Sequence, residues 1–163
     1  MNSAATPSRS SRSLRGMVPV LCVLAAIVLL LFVRSGLSQR PGGLGVTGGR
    51  LRPCPESPNC VCSQDADEEH AIAPLQFEGD GAAEWERLRQ AIRNTPRAVI
   101  VTETPDYIHA EFTSLIFRFV DDVELFRAPA DGVIHVRSAS RVGYSDLGVN
   151  RQRVEQLRQA LGR

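Results

Sequence analysis

The sequence predicts an α+β domain, a four-stranded antiparallel sheet with two helices packed on one face, preceded by a single transmembrane helix. Three observations lead to that class. Residues 17–33 form an uninterrupted apolar run. The stretches 82–94 and 150–161 carry apolar residues at helical spacing. Between them lie four segments of alternating polarity, separated by turns rich in Pro, Asp and Gly.

The apolar run extends from Met17 to Val33, with Arg9, Arg12 and Arg15 before it and Arg34 after it. As a helix it spans roughly 25 Å, a little short of the hydrocarbon core but workable when flanking arginines reach the headgroups. It has no polar face, unlike a buried helix of a soluble domain. No small-residue cleavage pattern follows it, because the exit reads Phe32-Val33-Arg34-Ser35. An uncleaved anchor is therefore expected rather than a signal peptide. Residues 1–16 read as a cytoplasmic basic tail, 34–53 as a flexible Gly/Arg linker, and 54–163 as an extracytoplasmic domain. Gly43, Gly45 and Gly48 have GxGxxG spacing. With no strand before them and no helix after them, they are not a dinucleotide fingerprint.

Charge narrows the function classes. All 18 acidic residues lie in residues 54–163, and the net charge of that stretch is −6. Such a domain is a poor partner for phosphate backbones, so nucleic acid is not an expected partner. The chain contains no lysine. That removes Schiff-base chemistry, the P-loop lysine and a lysine base.

Cys54-Pro-Glu-Ser-Pro-Asn-Cys60-Val-Cys62 opens the domain. The turn-rich loop between Cys54 and Cys60 makes a disulfide there easy and leaves Cys62 as an odd thiol. A metal site built from Cys54, Cys60, Cys62 and His70 is the competing reading. It lacks the second ligand pair that structural zinc sites show, and no metal or other cofactor is expected.

Ala82–Asn94 is the first expected helix of the domain, with Trp85, Leu88 and Ile92 on one face. The second runs from Asn150, its N-cap, to Leu161, with Val154, Leu157 and Leu161 on one face. The strands are expected over 97–104, 107–113, 117–126 and 133–138. Alternation sends Ile108, Ala110, Phe112, Phe117, Phe119, Val123, Leu125, Ile134 and Val136 toward the helices. The other face takes His109, Glu111, Arg118, Asp122, Glu124, His135 and Arg137. Tight turns pair Glu111 with Arg118, Asp122 with Arg137, and Glu124 with His135. That face is either a solvated set of ion pairs or the floor of a pocket. Asp121 falls on the apolar side, so either a bulge or a buried carboxylate is expected there.

The loop entering the last helix carries Arg137, Ser138, Ser140, Arg141, Tyr144, Asp146, Asn150 and Arg151. Glycine hinges, arginines and a helix amino terminus are the ingredients of an anion site. A buried network of arginines with Asp121 or Asp122 accounts for the same residues without a ligand.

Cys54-Pro with Pro58-Asn-Cys60-Val, Phe117-Arg-Phe-Val-Asp-Asp-Val-Glu124, and the long motif Arg137 to Arg151 resemble the domain-of-unknown-function family 1499. The resemblance covers about residues 51–162. It implies an exported or membrane-attached bacterial protein with no established activity, so no catalytic residues carry over. Where this chain has Cys62 the family pattern has serine, which argues against an essential thiol. The expected protein sits in a bacterial inner membrane by a single pass through residues 17–33, with its domain in the periplasm. Its expected role is a non-enzymatic binding or assembly module for a protein partner or a small anionic ligand. The alternative is a small hydrolase or transferase with His109, His135, Glu111 or Asp122 as acid-base groups.

Overall fold

The computed structural model describes residues 11–36 and 38–162. Most of the expected basic tail, residues 1–10, lies outside them. The first helix, α1 (Ser11–Gly36), contains the apolar run. Among the described residues no helix is long and apolar enough to cross a membrane. The spanning role expected of residues 17–33 is therefore not a property the fold itself displays.

The domain is α+β, with a six-stranded, wholly antiparallel sheet. Its strands are β1 (Cys60–Cys62), β2 (Leu75–Gln76), β3 (Ala98–Glu103), β4 (Tyr107–Thr113), β5 (Val120–Ala128) and β6 (Val133–Ser140). The order is β1-β6-β5-β4-β3, and β2 also pairs with β6. Four strands are those expected. The two extra ones are three and two residues long, too short for any period to register in the sequence.

Helices α2 (Ala82–Asn94) and α3 (Val149–Ala160) cover one face of the sheet. Trp85, Leu88, Ile92, Val154, Leu157 and Leu161 meet Ile108, Ala110, Phe112, Val123, Leu125, Ile134 and Val136 in one apolar core. This is the partition that period-two alternation predicts, except at Phe117 and Phe119. Residues 114–119 form a loop, closed by a 2.8 Å bond from Ser114 N–H to the Phe119 carbonyl. Within it Arg118 has φ 60°, which no strand accommodates. Strand β5 therefore starts at Val120, and Phe117, Phe119 and Arg118 belong to neither face.

That loop and the 3-10 turn at Pro129–Asp131 are longer than tight hairpins, so the expected register is off by four residues between β4 and β5 and by two between β5 and β6. Glu111 lies opposite Asp122 rather than Arg118, and Glu124 lies between His109 and Arg137 rather than opposite His135. An even slip preserves the face of every paired side chain, whereas a slip of one would have inverted it. Apart from Arg118, the expected composition of the polar face thus survives the error in its pairing.

Candidate functional site

The polar face of the sheet is covered by residues 38–53, the stretch expected as a linker. Arg40 lies 2.7 Å from Glu111, and Gly45 N–H donates to Glu124 Oε1 at 2.7 Å. Leu51 is buried, and its N–H donates to the Gln64 side chain. Underneath, Arg141 donates to Asp122 at 2.8 and 2.7 Å and to Glu111 at 2.5 Å. His109 Nε2 lies 2.7 Å from Asp122 Oδ1. Arg137 reaches Glu124 at 3.3 Å, and the Tyr107 hydroxyl donates to the same carboxylate at 2.8 Å. Glu111, Asp122 and Glu124 thereby face Arg40, Arg137 and Arg141, so the charges balance.

This balance sets the protonation states. Burial opposes ionisation of Asp122, but the hydrogen bonds from Arg141 and His109 outweigh it and hold the carboxyl below its usual range. Glu111 behaves alike, with Arg141 and Arg40 as donors. The hydrogen bond to Asp122 fixes the positive charge on Arg141. Burial and the charge of Glu124 push the Tyr107 phenol up. His109, Glu111 and Asp122 are close enough together to ligate a cation. Arg141 already supplies one, with its guanidinium between the two carboxylates.

The opposite face holds a second network. Asp121 is a buried carboxylate, not a bulge, and Arg153 of α3 pairs with it at 2.6 Å while lying over the Phe112 ring. Asn150, fully buried, donates to the Asn59 carbonyl and to Ser140 Oγ, and accepts from Ser138 Oγ and Arg153. Asn59 in turn donates to the Gly143 carbonyl at 2.6 Å. Asn150 is not the cap expected of it. Helix α3 begins one residue earlier, after Gly148 at φ 82°, and Asp146 accepts from Gly148 N–H and Asn150 N–H. Arg151 donates to the carbonyls of Ala71 and Glu69.

The structure therefore distributes the expected anion-binding loop over several structural tasks. Arg137 and Arg141 lie on one face of the sheet, Ser138, Ser140 and Asn150 on the other, and Arg151 clasps the segment before β2. Of the eight residues, Tyr144 is the one whose side chain stands free in solvent, 77% exposed. Arg153 was not singled out in the sequence, and Asn59, Arg40 and Gly45 were not read there as partners of the polar groups. The apolar-side position of Asp121 was the signal that a partner such as Arg153 had to exist.

Cys54 and Cys60 form a disulfide, with Cα atoms 5.7 Å apart. Cys62 is free and fully buried, and burial pushes its thiol up; such a cysteine is inert. His70 lies 2.6 Å from Asp67 and 3.2 Å from the Ser57 carbonyl, so two of the four alternative metal ligands are joined in the disulfide and the ring nitrogens of a third are engaged.

A cleft of about 860 Å³ lies between the end of α1 and the β6–α3 loop. Leu30, Leu31, Phe119 and Val142 give it apolar walls, and Ser57, Asn59, Ser140 and Tyr144 give it polar groups. The Phe32 ring meets Phe117 beside it, with centroids 5.8 Å apart.

A family model described as protein of unknown function (DUF1499) matches residues 50–161. The chain belongs to this family. Neither a curated protein nor a solved structure matches it. The family stretch contains the disulfide, all six strands, both domain helices and the buried networks. Helix α1 and the residues Arg40 and Gly45 lie before it.

Proposed function

We propose that the protein is a non-enzymatic binding module, tethered to a membrane by α1, that holds an amphiphile in the cleft between α1 and the β6–α3 loop. The cleft carries this reading. One wall is hydrocarbon and the other carries the exposed Tyr144 phenol beside hydroxyl and amide groups already bonded within the fold, which suits a ligand with an apolar chain and a small hydrogen-bonding head. A strongly anionic ligand fits less well, because Arg137, Arg141 and Arg151 are engaged within the fold.

The tether rests on chemistry. Residues 17–33 have no polar face, and large side chains such as Leu21, Leu24 and Leu29 stand exposed. A helix apolar all round belongs in a core or in lipid. Its shortfall against the bilayer is a few ångströms, which local thinning of the bilayer absorbs. The disulfide favours an oxidising compartment, so the domain faces the periplasm from the inner membrane of a bacterium.

The hydrolase reading has little to stand on. His109, Glu111 and Asp122 are committed to one another and to arginines. A Ser–His contact does exist, with Ser63 Oγ 3.2 Å from His135 Nδ1. That hydroxyl, however, accepts Val136 N–H, and Ser63 N–H donates to the Val136 carbonyl, so Ser63 serves strand pairing.

The test is the native mass of the full chain extracted from its membrane in mild detergent. The reading expects one retained amphiphile that leaves on denaturation, and a chain that resists alkaline washing from the membrane. A bare native mass, or a chain released by the wash, overturns it.

A further inference from the structure

The antiparallel pairing brings two loops to one end of the sheet. Thr113 pairs with Val120 and Asp121 with Ser140, so the β4–β5 loop and the β6–α3 loop emerge side by side. Both are apolar at their tips. Leu115 and Ile116 are 68% and 66% exposed, and Tyr144 and Leu147 are 77% and 94% exposed. Clustered apolar side chains at loop tips are unusual on a surface that faces only water.

Three further observations concern the same end. The non-glycine residues with left-handed backbone among the described residues are Arg97, Arg118 and Leu147. All three sit in connections at this end, where strain commonly accompanies function. The β4–β5 loop has no acid and exposes Arg118. The one acid of the other loop, Asp146, has both oxygens occupied by backbone N–H groups. Finally, α1 meets the domain here, with Phe32 packed on Phe117 and Leu30 and Leu31 in the cleft wall.

We infer that this end of the domain lies on the lipid surface, with Leu115, Ile116, Tyr144 and Leu147 among the upper acyl chains and Arg118 at the headgroups. The inference rests on the tether reading, because α1 is the apolar surface with which the tips are continuous. Short apolar tips flanked by an aromatic and an arginine match the chemistry of the membrane interface. The cleft then opens toward lipid, so its ligand enters from the bilayer rather than from water.

The test places a tryptophan at Ile116, at Leu147 or at Ala130, the last being exposed in the turn at the far end of the sheet. Each full-length variant is reconstituted into phosphatidylcholine–phosphatidylglycerol vesicles with brominated acyl chains, and the Trp85 signal of the unsubstituted chain is subtracted. Ile116→Trp and Leu147→Trp are expected to be quenched at least threefold more than Ala130→Trp. Equal quenching at all three sites overturns the docking. So does protection from a water-soluble quencher without quenching by bromine, which would mean that protein covers the tips. Flotation of the same samples separates the two readings. A chain that floats with unquenched tips overturns the docking alone, and one that leaves the vesicles overturns the tether as well.

Discussion

Arg141 and Asp122 form a two-bond fork, 2.8 and 2.7 Å, between side chains that are 7% and 1% exposed. One nitrogen of that fork also reaches Glu111. A family-motif arginine at the edge of a polar sheet face is thus consumed inside the fold, and its neighbours inherit the same logic.

Replacing Arg141 with Ala strands Asp122 without its main donor. The expected cost is about 3–5 kcal/mol of folding stability, as for breaking a buried ion pair by removing one partner. Arg141→Lys should recover part of it, since an ammonium keeps the charge and loses the fork. Denaturant unfolding of both variants measures this; a loss below about 1 kcal/mol for the alanine variant would mean the pair is not structural.

Acid should destabilise the domain, through groups whose folded pKa values are depressed. Glu111 and Asp122 are held below the carboxylate range against burial by their donors. Their contribution is complete above that range and is lost as the pH falls through the lower folded values. His135, pushed down chiefly by burial, acts in the same direction at higher pH. Its neutral form stabilises above the ordinary histidine value, and the contribution is lost as the pH falls through the folded one. His70, which burial would lower but which the Ser57 carbonyl and Asp67 hold above its ordinary value, acts oppositely near neutrality, so the two histidines partly cancel and the lower, carboxylate stage should dominate the fall from pH 8 downward. The lower stage should shrink in Asp122→Asn; an unchanged acid limb would contradict the account.

Asn150 joins β6, α3 and the chain before β1 through side-chain bonds to Ser138, Ser140 and the Asn59 carbonyl. Asn150→Ala leaves several of these partners unmatched in a site without solvent. A loss of roughly 2–3 kcal/mol is expected. Hydrogen exchange should show β1 opening before β4 and β5; uniform opening would exclude this clasp.

Reduction of Cys54–Cys60 releases a loop with a sequence separation of 6 and should cost about 2 kcal/mol. Cys62 should resist alkylation while the domain is folded and react once it is denatured, as intact mass will reveal. Labelling of Cys62 in the folded state would contradict its burial.

The sequence carried the class of the domain, both of its helices and the sorting of side chains between faces, because these depend on local periodicity. It did not carry register, which two loops of irregular backbone set. The left-handed Arg118 has no signature that distinguishes it from a strand residue. Apart from Arg118, the polar face was composed correctly and paired incorrectly, since an even slip leaves parity intact. The motif from Arg137 to Arg151 looked like one surface because its residues adjoin in sequence. A strand sends neighbours to opposite faces, so the motif was split between two buried networks. The cleft needed α1, which sequence reasoning kept separate from the domain.

The most direct measurement compares ligand retention in variants of the cleft and of the buried network. Native mass spectra of the full chain in mild detergent would be recorded for wild type, Phe119→Ala, Tyr144→Ala and His109→Gln. The account predicts that wild type and His109→Gln keep a bound amphiphile, and that Phe119→Ala and Tyr144→Ala lose most of it. Retention in both cleft variants with loss in His109→Gln would place the functional site in the polar network and contradict the account.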